Sequence, residues 1–373
     1  MCSSDLFAAL NINGEVYDFG GQIAYINQRS RWNWGGAISH IPYLSAFSEY
    51  ANEDFGAGPE PSINTYMIRT FQQQAEAFVA YPFNRHHRWE VGGAIARYSY
   101  RVDKWRQSYY GFYGDRQKIS NEELSSKYNF GNLDPFVIQQ INTGFVGDNA
   151  IFGIAAPLQG FRYRLGAEQY FGDYNFTAWN IDLRKYNRYK PVTLAARFYS
   201  YMRTGKDDQA LYRLFIGYPY LIRGYETGNF DNTGKTTMSD LMGSKMAIGN
   251  LEMRIPFTGP KELAVMESGF LFSDLNIFID GGLAWNRGNK VKMSKSDGDL
   301  VNAIDGDGNP IIGSDGKPVM VYDSNVKAPV FSAGVSLRIN LFGAMILEPY
   351  YAIPFQRSDV KFGVFGLNFA PGW

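Results

Sequence analysis

Residues 249–256 read Gly-Asn-Leu-Glu-Met-Arg-Ile-Pro, and from Asn250 to Ile255 polar side chains occupy every even position and apolar side chains every odd one. Successive side chains of a β-strand point to opposite faces of the sheet. This stretch therefore predicts a strand with one charged face and one oily face.

The same alternation recurs along the whole chain of 373 residues, and no linker interrupts it. We count about fourteen such segments, which predict consecutive antiparallel strands in a single domain over residues 1–373. The segments are residues 14–27, 30–42, 63–81, 86–102, 137–147, 161–171, 179–184, 192–198, 212–216, 244–256, 274–286, 328–340, 343–354 and 359–369.

The number of strands decides which face points outward. Apolar side chains can fill the interior of a barrel of about eight strands, but at about fourteen the interior is too wide to fill. We therefore expect the apolar face to meet lipid and the charged face to line a wet bore. This is an all-β fold, a transmembrane antiparallel β-barrel. A soluble β-sandwich with stacked aromatic side chains is the alternative.

The predicted connections alternate between short turns and long loops. The short ones are expected at the periplasmic side and lie at residues 84–86, 187–191, 342–343 and 356–358. The long ones are expected to be external and lie near residues 44–62, 103–136, 219–243 and 287–327. A short capped helix is predicted at residues 119–127.

Composition excludes several classes of function. The 36 Lys and Arg residues balance the 36 Asp and Glu residues, which argues against nucleic acid as a partner because phosphate binding requires a basic excess. The single cysteine, Cys2, cannot form an internal disulfide.

Motifs for catalysis or metal binding are missing from the sequence. It has no Gly-x-Ser-x-Gly, His-Glu-x-x-His or phosphate-binding glycine loop. The segment Asp305–Asn309 resembles a calcium loop, but Pro310 replaces its glycine and Gly316 its terminal glutamate, so we interpret it as a turn with at most a weak ion site. We expect no enzyme activity, no cofactor and no metal.

A constellation near the C-terminus carries a family resemblance. Ile-Arg-Gly-Tyr at residues 222–225 lies in a long loop, Glu252 lies on the next strand, and Phe-Ile-Asp-Gly-Gly at residues 278–282 lies on the one after. This pattern resembles the Omp85 superfamily of outer-membrane barrels, the BamA/TamA and surface-antigen D15 type. The resemblance implies that residues 219–243 form an external loop pinned inside the bore, with its arginine on two acids.

By this resemblance Arg223 is the loop arginine, and Glu252 and Asp280 are its acids. The alternation independently points both carboxylates into the bore. An arginine fork can bind two carboxylates at once, Gly224 permits a tight turn, and Tyr225 can pack while its hydroxyl stays hydrogen-bonded. The alternative is a solvated arginine near two incidental acids.

The last predicted strand resembles the C-terminal assembly signal of the family, through Gly363, Phe365, Leu367 and Phe369. The family barrel has sixteen strands with five after the pinned loop. We find five after it but about nine before it. The resemblance therefore implies that an N-terminal periplasmic domain and the first two strands are missing from this chain.

The resemblance implies a non-catalytic protein of the bacterial outer membrane that takes part in protein insertion, assembly or translocation. The partners it implies are outer-membrane lipid and lipopolysaccharide, client outer-membrane or secreted proteins, and accessory lipoproteins. Two other functions stay open. One is a passive channel, and the other is a barrel that anchors or exports an upstream catalytic module such as a patatin-like phospholipase.

Overall fold

A computed structural model describes residues 4–12, 18–54, 58–108, 114–128, 133–226, 234–304, 308–343 and 345–369. The strands in this part of the chain are, in order, β1 (Ser4–Ile12), β2 (Phe19–Asn27), β3 (Asn33–Asp54), β4 (Pro59–Pro82), β5 (His87–Ser108), β6 (Gly114–Lys118), β7 (Phe136–Asp148), β8 (Ile151–Phe152), β9 (Pro157–Gly172), β10 (Phe176–Tyr189), β11 (Val192–Thr204), β12 (Leu214–Phe215), β13 (Met242–Gly243), β14 (Lys245–Gly259), β15 (Met266–Glu267), β16 (Phe272–Trp285), β17 (Lys290–Val291), β18 (Leu300–Asn302), β19 (Met320–Tyr322), β20 (Val326–Lys327), β21 (Val330–Leu341), β22 (Met345–Pro354) and β23 (Val364–Phe369). Strands predominate, as the alternation predicts.

The described residues contain one α-helix, α1 (Asn121–Tyr128), which confirms the helix predicted at residues 119–127. The Ser120 hydroxyl oxygen accepts a hydrogen bond from the Glu123 backbone N–H at 3.1 Å and so caps the first turn. No helix in the described part of the chain has both the length and the apolar composition needed to cross a membrane.

The chain divides into two compact units. The first comprises residues 1–82, 89–143 and 169–175, and the second comprises residues 83–88, 144–168 and 176–373. Within the second unit, β10, β11, β14, β16, β21, β22 and β23 pair in that order, each antiparallel to the one before. Strands that follow each other along the chain are thus neighbours in the sheet.

This meander determines where the connections of the second unit lie. Because chain direction alternates from strand to strand, residues 205–244, 286–329 and 355–363 leave the sheet at the same end, which we call the loop end. The turn at residues 342–343 lies at the opposite end. We expected residues 356–358 to lie at the same end of the sheet as residues 342–343, and this expectation is wrong. The strand β22 separates the two connections, so they lie at opposite ends of the sheet.

The first unit corrects two further expectations. Its strand β1 was not predicted, and it pairs with β2 along its whole length. The predicted loop at residues 44–62 is wrong, because β3 and β4 pair without a break from Asn33↔Ala80 to Asp54↔Pro59. Polar side chains obscure the alternation there, and cross-strand contacts such as Ser48 Oγ to Thr65 Oγ1 at 2.8 Å accompany the pairing.

The prediction of a strand of the main sheet at residues 212–216 is also wrong. Only Leu214–Phe215 is extended, and it pairs with β13 in a separate two-stranded sheet. The apolar residues of this region pack inside the connection, where Ile216 and Leu241 belong to one buried cluster. Among the described residues, fourteen strands of six or more residues remain, because β1 takes the place of this segment.

The two faces of the second unit's sheet have opposite character. On the polar face, which carries Asn250, Glu252 and Asp280, charged side chains are buried, and Glu252 is 3% exposed. On the apolar face, which carries Leu251 and Ile279, large apolar side chains are exposed, and Leu251 is 57% exposed. Sheets of water-soluble proteins have the reverse arrangement. The expectation that the apolar positions of each strand face outward is therefore confirmed here.

Two long connections at the loop end are joined by a buried ion pair. The Lys295 Nζ donates to both carboxylate oxygens of Asp240 at 2.8 Å, and the Lys327 Nζ donates to the Ser239 carbonyl at 2.6 Å. Asp240 is held in place because its Oδ2 accepts the Thr237 backbone N–H at 2.9 Å. This contact attaches residues 286–329 to residues 205–244.

We predict that Asp240→Asn releases the connection of residues 286–329. The substitution leaves two buried lysines without their carboxylate, which is costly. Limited proteolysis of the folded protein should cleave this connection several-fold faster than in the parent. Asp315→Asn, which changes an exposed aspartate of the same connection, is the matched control. Equal cleavage rates in both variants and the parent would show that the ion pair does not hold the connection.

Candidate functional site

The turn at residues 218–226, which we call the loop tip, lies against the polar face. The backbone N–H groups of Leu221 and Ile222 both donate to the Tyr218 carbonyl. The Leu221 carbonyl accepts from Asn250 Nδ2 at 2.8 Å. Ile222 is completely buried, and a Cβ at Gly282 would lie 2.5 Å from its Cδ1. The glycine therefore leaves room for the loop tip on β16.

The Arg223 side chain contacts three carboxylates. Its Nη2 lies 2.8 Å from Glu252 Oε1, and its Nη1 lies 3.1 Å from Glu348 Oε1. Asp280 is bound by a fork, in which Nε and Nη2 each donate at 2.8 Å, and its Oδ2 also accepts the Arg223 backbone N–H at 3.2 Å. The guanidinium carbon lies 3.5 Å from the centroid of the Phe278 ring. The positive charge is thus enclosed by acids and one aromatic face.

Strand register brings these side chains together. Asn250 lies directly opposite Asp280, and Glu252 directly opposite Phe278, across the β14–β16 pair. Since residues two apart share a face, the carboxylates of neighbouring strands converge on the same side of the sheet. Asn250 Nδ2 completes the contact by donating to Asp280 Oδ1 at 2.8 Å.

Two further arginines balance the charge of the carboxylate cluster, which we define as Glu252, Asp280 and Glu348. Arg254 Nε donates to Glu252 at 2.8 Å, and Arg338 Nη2 donates to Glu252 at 3.0 Å. With Arg223, three arginines face three carboxylates, and all six side chains are almost completely buried. Such a cluster is stable only when every charge has a partner.

Gly224 has φ of 89°, in the left-handed region that favours glycine. A Cβ at this position would lie 3.1 Å from the Ala352 Cβ, so the backbone approaches β22 closely. The Gly224 carbonyl accepts from Arg357 Nη1 at 3.0 Å. The turn thereby reaches the connection between β22 and β23.

Tyr225 is completely buried, and its hydroxyl lies 2.8 Å from Gln356 Oε1 and 3.0 Å from the Phe331 carbonyl oxygen. The Gln356 backbone N–H donates to the hydroxyl oxygen at 3.2 Å. Burial raises the pKa of the Tyr225 hydroxyl to about 12. It therefore keeps its proton, and with it the ability to donate, at neutral pH.

The structure brings together all five residues singled out for the loop contact, Arg223, Gly224, Tyr225, Glu252 and Asp280. Sequence reasoning missed Glu348, Arg254 and Arg338 as members of the same contact, and Gln356 and Arg357 as partners of the loop tip. Parity would have pointed to Glu348 and Arg338, since both lie on polar positions of alternating strands. The alternation does not indicate which polar positions of different strands meet.

The residues proposed as a C-terminal signal occupy two different settings. Phe365, Leu367 and Phe369 share the exposed face of β23. Gly363 precedes the strand with φ of 118°, and a Cβ there would lie 2.7 Å from the Tyr351 ring. The assembly role of the set stays a prediction.

No group of three or more histidine, cysteine, aspartate or glutamate side chains suited to a metal occurs in the part of the chain that the structure describes. Residues 305–307 of the segment Asp305–Asn309 and the cysteine Cys2 lie outside that part, so the possible weak ion site is not described.

Known proteins are similar to this chain over most of its length. A family model described as the Omp85 superfamily domain matches residues 14–372. The fold is similar to the crystal structure of BamA from Haemophilus ducreyi lacking POTRA domains 1–3, with a TM-score of 0.53 and 13% identity over 99% of this chain and 70% of that one.

Two further solved structures show weaker similarity. CdiB from Escherichia coli has a TM-score of 0.49 and 10% identity over 95% of this chain and 53% of that one. CdiB from Acinetobacter baumannii has a TM-score of 0.43 and 10% identity over 98% of this chain and 65% of that one. A search of curated proteins found no match to the chain.

We predict that Arg223→Ala lowers the free energy of unfolding by about 3–5 kcal/mol, because it leaves the carboxylate cluster with one arginine fewer. Denaturant unfolding in detergent micelles would measure the change. Arg287→Ala is the control, since its side chain is 62% exposed, lies 3.6 Å from Asp208 and otherwise donates to the exposed Gly205 carbonyl at 3.2 Å, and it should change stability by less than about 0.5 kcal/mol. Equal losses in the two variants would mean that the buried contacts of Arg223 are not stabilising.

We also predict that the Tyr225 hydroxyl makes stability depend on alkaline pH. An unfolded tyrosine loses its proton near pH 10, whereas the pKa of Tyr225 is raised to about 12 in the folded protein. The stabilisation is therefore complete below pH 10 and is lost as pH rises through 12. The unfolding free energy of the parent should exceed that of Tyr225→Phe by about 1 kcal/mol at pH 8, and this advantage should disappear between pH 10 and pH 12. A difference that does not change with pH would contradict the assignment.

Proposed function

The chain belongs to the Omp85 superfamily of bacterial outer-membrane β-barrels, and on that premise we propose that it takes part in inserting or translocating other proteins at the outer membrane. The proposed action is non-catalytic and requires no cofactor. Client proteins bind and pass by contact with the sheet and the loop tip, with no covalent intermediate.

The observation that carries this proposal is the burial of Arg223 in the carboxylate cluster. A guanidinium enclosed by three acids, with a backbone N–H on one of them, holds the loop tip in one position on the polar face. Partial withdrawal of the loop tip is unfavourable. It breaks the contacts between Arg223 and the carboxylates before water can hydrate either partner. The loop tip therefore has a docked state that is clearly separated from any undocked one.

We propose that the docked loop tip keeps the last strands of the sheet in their working arrangement. Through Glu348, Gln356 and Arg357 it contacts β22 and the connection that leads into β23. The strand β23 carries a row of exposed apolar side chains. We propose that client strands are admitted beside it.

The proposed partners follow from the two faces. The exposed apolar face would contact outer-membrane lipid and, at the outer leaflet, lipopolysaccharide. Client outer-membrane or secreted proteins would meet the polar face and β23. Accessory lipoproteins are proposed from the family relationship alone.

We predict that Arg223→Ala leaves a folded barrel but reduces client insertion several-fold. The variant would replace the parent in the source bacterium, and quantitative mass spectrometry of outer-membrane and secreted fractions would measure client levels. Heat-modifiable migration on gels would verify folding. Asp280→Asn should act in the same direction, and Arg287→Ala should leave client levels unchanged.

Unchanged client levels in folded Arg223→Ala would remove the proposed role of the loop contact. If planar-bilayer recordings of the same variants also showed large, steady conductance indifferent to Arg223, the protein would instead be a passive channel. A defect confined to one secreted enzyme would favour an exporter of a catalytic module.

A further inference from the structure

A groove of about 500 Å³ lies on the apolar face of the second unit, over β9, β10 and β11. The residues of its walls occupy the apolar positions of their strands. Most of them are apolar or aromatic, and one is a lysine. The walls, which define what we call the apolar groove, are formed by Phe161, Tyr163, Leu183, Lys185, Ala196 and Phe198.

The floor of the apolar groove is formed by the backbone of the strands. Arg162, Arg184 and Arg197 border the groove, but they occupy polar positions. Arg184 and Arg197 both donate to Asp182, and Arg162 Nε lies 2.9 Å from Asp148. Their guanidinium groups therefore lie on the polar face, and their charges do not enter the groove.

Lys185 carries the positive charge of the apolar groove. Its side chain is exposed and has no hydrogen-bond or ion-pair partner within the part of the chain that the structure describes. No aspartate or glutamate is among the described residues that line the groove. A lysine amine on the lipid-facing side of a barrel is unfavourable unless another group neutralises it. Its counter-charge is therefore expected from a molecule that the groove binds.

The lysine lies within the band of apolar side chains and not beyond its edge. Lys185 pairs with Ala196 across β10 and β11, and Ala196 pairs with Leu251 across β11 and β14. From this level, apolar side chains continue away from the loop end, at Leu194 and Ile255. A lysine stem can stay in hydrocarbon while its amine reaches toward the headgroups of a leaflet. The Lys185 amine is thus placed to meet a lipid phosphate.

The aromatic wall of the apolar groove is held by its neighbours. The Tyr163 hydroxyl lies 2.8 Å from His87 Nδ1, and the His87 ring stacks on the Tyr163 and Phe161 rings, with each pair of centroids 5.8 Å apart. The Tyr163 ring also lies so close to Gly147 that a Cβ there would collide with it. A wall that is already fixed can receive an acyl chain with little loss of side-chain freedom.

The combination of an apolar groove with one amine fits a phospholipid of net negative charge. An acyl chain would pack against Leu183, Phe198 and Tyr163, and the phosphate would pair with Lys185. A headgroup that carries its own ammonium is disfavoured, because the described lining residues offer it no carboxylate. A glycerol headgroup leaves the phosphate charge for the lysine.

The pairing of the strands disfavours a polypeptide as the occupant. The backbone groups of β10 are used in pairing with β9 and β11, so they cannot add a further strand here. An extended peptide on the lipid-facing side would leave its own backbone groups without hydrogen bonds in hydrocarbon, which is costly. An acyl chain has no such groups.

We propose that the apolar groove binds one anionic phospholipid of the phosphatidylglycerol type, with its phosphate on Lys185 and an acyl chain along the groove. This inference deepens the proposed contact of the apolar face with lipid, on which it rests, by naming the lipid class and the residue that selects it. The bound lipid neutralises the lysine and completes the apolar surface beside β10 and β11.

The test uses the purified protein in detergent micelles and native mass spectrometry, which counts bound lipids. The probes are dioctanoyl phosphatidylglycerol and dioctanoyl phosphatidylethanolamine, which share their acyl chains but differ in net charge. We expect the parent to bind the first about tenfold more tightly. Lys185→Gln should abolish this preference, and Lys185→Arg should retain it. Lys261→Gln is the matched control, since Lys261 is exposed on the connection after β14, at the same end of the sheet, and it should leave the preference unchanged.

Ala196→Trp separates the groove from the charge. The larger side chain fills the groove, so it should weaken the binding of both lipids several-fold while Lys185 is retained. Heat-modifiable migration on gels would verify that the variants fold.

Equal binding of the two lipids by the parent, or an unchanged preference in folded Lys185→Gln, would overturn the proposal. An equal loss in Lys261→Gln would indicate a general attraction of anionic lipid to the protein and would also overturn it. So would displacement of the lipid by millimolar inorganic phosphate, which would redefine Lys185 as a small-anion site. The assay contains no client protein, so the lipid preference can fail while client insertion stands, and the reverse.

Discussion

A guanidinium ion in a protein interior loses its hydration, and the loss is offset only where other groups replace the water on every side. For Arg223 those groups are Glu252, Asp280, Glu348 and the Phe278 ring. They come from three strands, β14, β16 and β22, that are held in one meander. The position of the loop tip thus depends on the register of the whole C-terminal sheet, and each of these strands contributes to a single charged contact.

The sheet buries its polar face and exposes its apolar face, and this explains why the contact between Arg223 and the carboxylates can exist. Charged side chains on the polar face are buried by each other and by the loop tip, while large apolar side chains on the other face are exposed. In water this distribution would be unfavourable, but in a bilayer the exposed face is the favourable one. The membrane therefore stabilises the exposed apolar face. The polar face can then carry the buried arginines and carboxylates.

The charges around Arg223 are balanced, because three arginines face three carboxylates and all six side chains are almost completely buried. A balanced and buried network suits a structural contact, since each charge that leaves it loses a partner. The loop tip enters this network only through Arg223, and it is held beside it by Asn250 and Gln356.

The alternation of about fourteen segments was sufficient to predict the fold class and the facing of Glu252 and Asp280, because the period of a strand is a local property. The resemblance of residues 222–225, Glu252 and residues 278–282 to the family pattern singled out the loop contact. Alternation failed where polar strands pair beyond residue 44 and where residues 212–216 pack inside a connection, since neither outcome is set by local period. Only the tertiary structure brought in Glu348, Arg254, Arg338 and Gln356. Their meeting depends on the register between strands far apart in sequence, and register is decided by the packing of the whole sheet.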